Sequence, residues 1–405
     1  MSVRILQFGT GRLLRGLCDE IIDRAGGAGA VCAVQSTGTG RVDTLRSMDH
    51  AFGVRTCGLR GGREVDETRT VTAIGRALAA ERDWDDLLGV ARDPDLGVVI
   101  SNTTEAGLSA EDEDAAARTP VTFPGKLLAV LRARAEAFGC DPARAPVVVP
   151  CELVERNGEV LRTSVLELAD RFGVDPAVRA WIADEVCFAD TLVDRICTEP
   201  GDGPPLETVV EPFAQWAIGG SERVRTAAWF EGHGCEVVDD VSPLFVRKVR
   251  VLNGAHTALV AIGLMLGHET VGSVMGDGLL SRFVDAVLER EIVPTVEAEG
   301  VPGVRAFARD VVDRFGNPFH AHRLEEIERG SAAKVPIRLL PTIRGVLEMG
   351  RIPELLCVSL AAHLVRGGVP EDAAATWPAE IRGRVSDARA AIERGGLAQH
   401  LDGLV

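Results

Sequence analysis

A chain of 405 residues with 46% apolar and 26% charged residues has the length for two domains and the balance of an ordinary globular protein. Its formal net charge of −16 argues against nucleic acid or an anionic membrane as partner, because no basic stripe offsets the acidic excess. The longest apolar run, residues 257–266, is too short to cross a bilayer. Nine cysteines lack any Cys-x-x-Cys pair, and Met1-Ser-Val-Arg-Ile5 has no signal-peptide pattern, so reduced thiols in a cytoplasmic protein are expected.

In chain order, Val3-Arg-Ile-Leu-Gln-Phe8 reads as a buried strand running into Gly9-Thr-Gly11, with a helix over 12–24 and a second strand over 30–34. This is a βαβ start. The short β-branched runs at 96–101 and 145–150, separated by helical segments, predict a mostly parallel sheet covered by helices. The acidic run Glu111-Asp-Glu-Asp114 reads as a solvated helix start, and Asp194-Arg195 as a structural ion pair. Beyond about Val238 the pattern turns helical, and Ser242-Pro243 carries an N-cap residue followed by proline. The predicted class is α/β: a Rossmann-type N-terminal domain over 1–240, then a mostly α-helical C-terminal domain over 241–405.

Glycines directly after a first strand let the backbone approach a pyrophosphate at a helix N-terminus. Phe8, Gly9, Gly11, Arg12 and Leu13 are therefore candidate cofactor residues, although Leu14 stands where the third glycine of G-x-G-x-x-G belongs. A plain tight turn is the competing reading. The acidic residue expected after the second strand is replaced by Gln35, which suits a ribose hydroxyl, with Arg41 nearby. NAD is expected, with NADP left open.

Lysine occurs only at Lys126, Lys248 and Lys334 among 44 cationic residues. Arginine stays protonated, whereas a lysine amine can exchange its proton, so a retained lysine is a candidate for acid–base work. On an α-helix Asn253 lies roughly 140° from Lys248 and His256 roughly 80° from it, within one arc. Three polar groups on an otherwise apolar helix suit dehydrogenation, which needs a base for the alcohol proton and donors for the developing alkoxide. The alternative is an exposed helical face with a partly buried histidine. Tyrosine is absent, which removes chemistry that relies on a catalytic Tyr–Lys pair.

Lys248-x4-Asn253-x2-His256 resembles the signature of the polyol-specific long-chain dehydrogenases, the mannitol dehydrogenase family. Phe8-Gly-Thr-Gly-Arg-Leu-Leu-Arg15, Ser101-Asn-Thr-Thr-Glu-Ala-Gly107, Phe123-Pro-Gly-Lys126 and Cys151-Glu-Leu-Val-Glu-Arg-Asn-Gly158 are similar to the same family, in order. Thr191-Leu-Val-Asp-Arg-Ile196, Glu211-Pro-Phe213, Arg314-Phe-Gly-Asn-Pro318 and Lys334-Val-Pro336 extend the likeness over nearly the whole chain. The resemblance implies a metal-free NAD(P)-dependent oxidoreductase with Lys248 as general acid/base, Asn253 polarising the carbonyl and His256 orienting the substrate. It implies Asn102, Thr103 and Thr104 near the nicotinamide, and Glu105, Lys126, His322 and Lys334 as substrate contacts.

Departures bear on the substrate. Cys151-Glu152-Leu153, Phe245 and Glu326 stand where mannitol-specific members carry Cys-Asp-Asn, Glu and Arg. The Cys151-Glu-Leu form, the run Leu252-Asn-Gly-Ala-His-Thr257 and His322 after Asn317-Pro318 resemble instead the branch acting on keto-hexuronates and hexonates, with a polyol or polyol phosphate as the alternative, and a nucleotide-binding sensor without turnover as a third reading. The expected partner is a small sugar acid or polyol, on a monomer or homodimer.

Overall fold

Four short strands, Ile5–Phe8 (β1), Val31–Gln35 (β2), and further along Val98–Ser101 and Val147–Pro150, are buried along almost their whole length. Runs such as Val147-Val-Val suit strands covered on both faces, where alternation with polar residues would leave polar groups in a core. The computed structural model describes residues 3–111, 113, 114 and 119–405; the side chains of Glu105 and Ala106 also lie outside the described part. Between β2 and Val98 come Phe52–Arg60 (β3), Arg63–Val71 (β4) and Ile74–Ala79 (β5). Val98–Ser101 is then β6, Val147–Pro150 β7 and Cys187–Phe188 β8.

These strands make a six-stranded parallel sheet in the order β5-β2-β1-β6-β7-β8. The pleat sends alternate residues to opposite faces. Ile5, Val31, Val98 and Val147 join one core with Leu14, Leu17 and Ile21, while Leu6, Cys32, Val99 and Val148 join the other with Leu127 and Leu131. Each fully buried aliphatic side chain stabilises by about 1.5–3 kcal/mol. The register places Phe8 beside both Val34 and Ser101, and Ser101 beside Pro150. The carboxyl ends of β1, β2, β6 and β7 therefore finish level, with the chain reversing its winding direction at β1. In open α/β sheets, ligands bind at such a switch point.

Two smaller sheets were not expected from the sequence. Thr191–Asp194 (β9), Gln215–Gly219 (β12) and Cys235–Val238 (β13) form one; Cys197–Thr198 (β10) and Thr208–Val210 (β11) join β3 and β4 in the other.

Two compact units emerge: the chain up to Cys57 with Asp66–Val241, and Gly58–Val65 with Ser242–Val405. The second unit thus includes the β3–β4 hairpin tip, whose Gly61 and Gly62 amides donate to the Asp313 carboxylate at 2.6 and 3.1 Å. Its central helix, Gly254–Met265, is buried from Gly254 to Gly263 and packs against helices Leu324–Glu328, Ser331–Arg338 and Glu354–Val365. A helix apolar on all sides belongs in a core.

Three expectations are corrected. Helix 12–24 contains a π-helical stretch, Leu14–Asp19, and so does the lysine segment, Lys248–Asn253. Of the acidic run, Asp112 lies outside the described residues. Glu113 is a cap rather than part of a solvated helix start: its carboxylate accepts from the Val121 and Thr122 amides at 2.9 and 2.8 Å, ahead of helix Phe123–Phe138. Arg195 pairs with Glu20 at 3.0 Å, not with Asp194, because its guanidinium also reaches the Gly16 carbonyl at 2.7 Å.

Candidate active site

The glycine turn is shaped by what a side chain would meet. Gly9 has φ +131°, and a Cβ there would lie 2.6 Å from Leu14 Cδ1 and 3.2 Å from the Asn102 carbonyl oxygen. Only glycine adopts this conformation without strain. Around Gly11 a Cβ would meet nothing within 4 Å, so the backbone there faces open space. The close helix-to-strand contact expected of the third glycine is made by Gly16, where a Cβ would approach Val210 and Thr208 at 2.7 and 2.8 Å. Leu14 instead fills the core. A backbone bared at Gly11 at the start of a helix fits a dinucleotide pyrophosphate.

Buried Arg15 holds this turn from beneath. It donates to the Thr10 carbonyl, to the Leu206 carbonyl at 3.1 Å and to Glu199 at 2.7 Å. Below it, Gln7 donates to Asp19 at 3.3 Å, and burial pushes the Asp19 carboxyl up to about 7. Phe8 is buried against Phe123, with ring centroids 5.2 Å apart; Arg12 is exposed and Leu13 half-buried. The Gln35 amide is engaged within its own loop, accepting from the Val42 amide at 3.1 Å and donating to the Thr37 carbonyl at 2.8 Å.

At the ends of β6 and β7, Glu152 does what sequence reasoning missed. Its buried carboxylate accepts from the Thr103 amide at 2.8 Å, the Thr103 hydroxyl at 3.1 Å and the Ser101 hydroxyl at 3.1 Å. Burial raises its pKa, while these bonds favour the charged form. Asn102 donates to the Cys151 carbonyl at 2.7 Å. The Ser101–Thr103 segment is therefore fixed beside the glycine turn, where the Asn102 amide also bonds the Phe8 carbonyl at 3.1 Å. Thr104 follows, and the Glu105 side chain lies outside the described part. Lys126 is buried, with Nζ donating to the Val121 carbonyl at 2.5 Å; burial lowers its pKa against the pull of Glu113 and Glu81.

In the second unit, π geometry alters the arithmetic of the lysine segment. Closing i→i+5 bonds takes roughly 4.4 residues per turn, which brings Lys248 and Asn253 to within about 50° of each other instead of 140°. Both are half-buried, and His256 follows one turn later on the regular helix, 8% exposed. Between them, buried Arg250 anchors the segment through Thr342 at 2.9 Å, Glu299 at 2.9 Å and Thr295 at 3.3 Å. Arg247 donates to the Pro302 carbonyl at 3.0 Å and lies over the Phe307 ring. Both arginines serve packing.

The His256 ring stacks on Phe315, centroids 4.2 Å apart at 22°, and meets His322 edge-on at 4.8 Å and 82°. Sequence-predicted His256 and His322 are thus brought together, and Phe315 is a platform that spacing alone did not reveal. Burial lowers the His322 pKa, with Glu326 raising it and Arg314 lowering it, so its imidazole is neutral near pH 7. Lys334 is half-buried, its Nζ donating to the Ile327 carbonyl at 2.7 Å. One unit thus offers a bared backbone for a pyrophosphate, and the other an amine, an amide and two imidazoles. Among the described residues no helix is long and apolar enough to cross a membrane, and no group of three or more His, Cys, Asp or Glu is placed to hold a metal.

The mannitol dehydrogenase Rossmann domain matches residues 3–231, and the mannitol dehydrogenase C-terminal domain residues 240–377. The chain is 39% identical over 390 residues to altronate oxidoreductase of Halalkalibacterium halodurans, covering 91% of this chain and 76% of that protein. It is 34% identical over 381 residues to altronate oxidoreductase of Bacillus subtilis, covering 89% and 79%. Among solved structures, D-sorbitol dehydrogenase in substrate-free form matches with TM-score 0.82 at 21% identity, over 99% of this chain and 95% of that one. Mannitol 2-dehydrogenase of Pseudomonas fluorescens, in ternary complex with NAD and D-mannitol, matches with TM-score 0.69 at 22% identity, over 100% and 94%. At such identities the structural likeness is one of fold.

Proposed function

Because the chain belongs to the mannitol dehydrogenase family, and is an oxidoreductase acting on CH–OH groups, we propose that it interconverts a tagaturonate-like keto-hexuronate and an altronate-like hexonate with NAD. The observation that carries this reading is Lys248 aligned with Asn253 on a π-helical segment and followed by His256, in a chain 39% identical to an altronate oxidoreductase.

The glycine turn, with its backbone bared at Gly11, together with Asn102, Thr103 and Thr104, would hold the dinucleotide, which supplies hydride acceptance or donation when bound. NAD is the expected dinucleotide: a structural relative is a complex with NAD, and Gln35 stands at the end of β2, its amide engaged within its own loop, with exposed Arg41 further on as the residue that a 2′-phosphate would call on. In oxidation, the Lys248 amine takes the proton from the alcohol oxygen. In reduction, the ammonium returns it. Asn253 donates to that oxygen as its negative charge develops, and His256, held against Phe315 and His322, orients the substrate through hydrogen bonding. His322 and Lys334 contact the sugar acid, Lys334 through charge. Lys126, with Nζ on the Val121 carbonyl, serves better as a structural tie for its helix than as a substrate contact. All nine cysteines are free thiols, which fits a reducing cytoplasm.

A panel of altronate, mannonate, mannitol and mannitol 1-phosphate with NAD and with NADP tests the proposal. Altronate with NAD should give the highest kcat/KM. A clear preference for mannitol or its phosphate would overturn the hexonate reading, and tight NADH binding without any turnover would favour a sensor.

A further inference from the structure

Most buried or half-buried arginines in this chain have an evident counter-charge or a full set of carbonyls. Arg15 meets Glu199, Arg195 meets Glu20, Arg250 meets Glu299 and Arg69 meets Asp23. Buried Arg134 satisfies its guanidinium with four backbone carbonyls. Arg338 differs. It is half-buried at the end of helix Ser331–Arg338, and its only side-chain hydrogen bond among the described residues is a long one, 3.4 Å, to the Thr257 hydroxyl. One turn earlier on the same face stands Lys334, also half-buried, with only the Ile327 carbonyl on its Nζ. Neither cation has a carboxylate partner among the described residues, in a chain with 60 acidic residues against 44 basic ones.

Like charges at i, i+4 on a helix repel, and burial strengthens the repulsion. Burial lowers the pKa of both groups, and Arg338 lowers that of Lys334 further. Two unneutralised cations held in this way are expected where an anion joins them. Their place bears on which anion that is. The Arg338 carbonyl lies 3.3 Å from where a Cβ on Gly254 would stand, directly after Asn253, and the guanidinium reaches Thr257, directly after His256. Helix Ser331–Arg338 therefore backs onto the segment that carries the polar groups of the reaction.

We infer that Arg338 is a specificity-determining residue that, with Lys334, clamps the substrate carboxylate and makes the enzyme prefer a sugar acid to the corresponding neutral polyol. The inference rests on the hexonate reading and extends it to a residue outside the Lys248–Asn253–His256 set. A guanidinium can take a carboxylate bidentately while the ammonium of Lys334 adds a point charge, so the acid is distinguished from a hydroxymethyl group by charge and by geometry.

The test compares kcat/KM for altronate with that for altritol, its neutral counterpart, in wild type, R338Q, R338M and R338K, with thermal unfolding as a check on folding. The acid-over-polyol preference should fall tenfold or more in R338Q and R338M, chiefly through KM for altronate, and by less in R338K. R338M keeps the apolar stem, so a folding defect confined to R338Q leaves the test intact. A preference within twofold of wild type in a folded R338Q or R338M, or an equal loss on both substrates, overturns the clamp and leaves the hexonate reading standing. A wild-type enzyme that oxidises altritol but not altronate removes the hexonate reading and the clamp together.

Discussion

The glycine turn of the first unit leads into a π-helical stretch and the lysine segment of the second is one, each steadied by a buried arginine, yet they offer opposite kinds of chemistry. In the first, the side chains from Leu14 to Asp19 are all buried and what is presented is backbone. In the second, buried Arg250, Val251 and Leu252 sit between half-buried Lys248 and Asn253, so what is presented is side chains. A backbone site is vulnerable to an added Cβ, whereas a side-chain site is vulnerable to a removed functional group. Substitutions in the two regions should therefore fail in different ways.

The largest effect is expected at Lys248. K248A should lower kcat by about 10²–10⁴, the range of a positioned acid/base, while NADH titration shows binding little altered. The glycines come next, and they should split. G11A should raise the NADH Kd tenfold or more yet leave the melting temperature near wild type, since its Cβ enters open space. G9A should raise the Kd and also lower the melting temperature, because φ +131° and the Leu14 contact strain the folded chain. Equal melting temperatures for the two variants would contradict the geometry of the turn.

A smaller effect is expected beneath the lysine segment. R250M removes three hydrogen bonds, one of them the Glu299 ion pair, a loss of about 2 kcal/mol after allowing for the exposure of Glu299. Urea unfolding should register that loss, and kcat should fall more than the NADH Kd rises, since the π segment rather than the glycine turn loses its anchor.

The smallest effect concerns pH. Asp19 holds its proton up to about pH 7 when folded, against 3.8 for the ordinary group, so the folded state binds more protons between those values. Its contribution to stability is therefore full at low pH and is lost as pH rises through about 7. Glu291, also pushed up to about 7 by burial, acts in the same direction. In unfolding followed from pH 5 to 8, D19N should flatten part of this decline and D19N/E291Q more of it. A wild-type slope retained in both variants would rule out these two groups as its source.

Legibility in the sequence followed how local each feature is. The parallel sheet was readable because strands buried on both faces must be Val- and Ile-rich. The β3–β4 hairpin was not, since Arg63-Glu-Val-Asp-Glu-Thr-Arg-Thr-Val71 is mostly exposed and reads as a polar loop. Lys248, Asn253 and His256 stood out through the scarcity of lysine and their shared arc, but the arc was computed for an α-helix. The switch to i→i+5 bonding, with Arg250 reaching Thr295, Glu299 and Thr342 far along the chain, leaves no mark in local spacing. Glu152 was visible only as a departure from a family pattern, because its partners Ser101 and Thr103 lie some fifty residues away. His256 on Phe315 and His322 was hidden for the same reason.

Proton transfer by Lys248 is the central claim, and amine rescue of K248A during altronate oxidation with NAD tests it most directly. The account predicts that turnover, depressed by about 10²–10⁴ in the variant, rises with added methylamine or ammonia and rises more with the better base. A K248A enzyme that turns over within a few-fold of wild type, or one whose lost rate no amine restores, would contradict it.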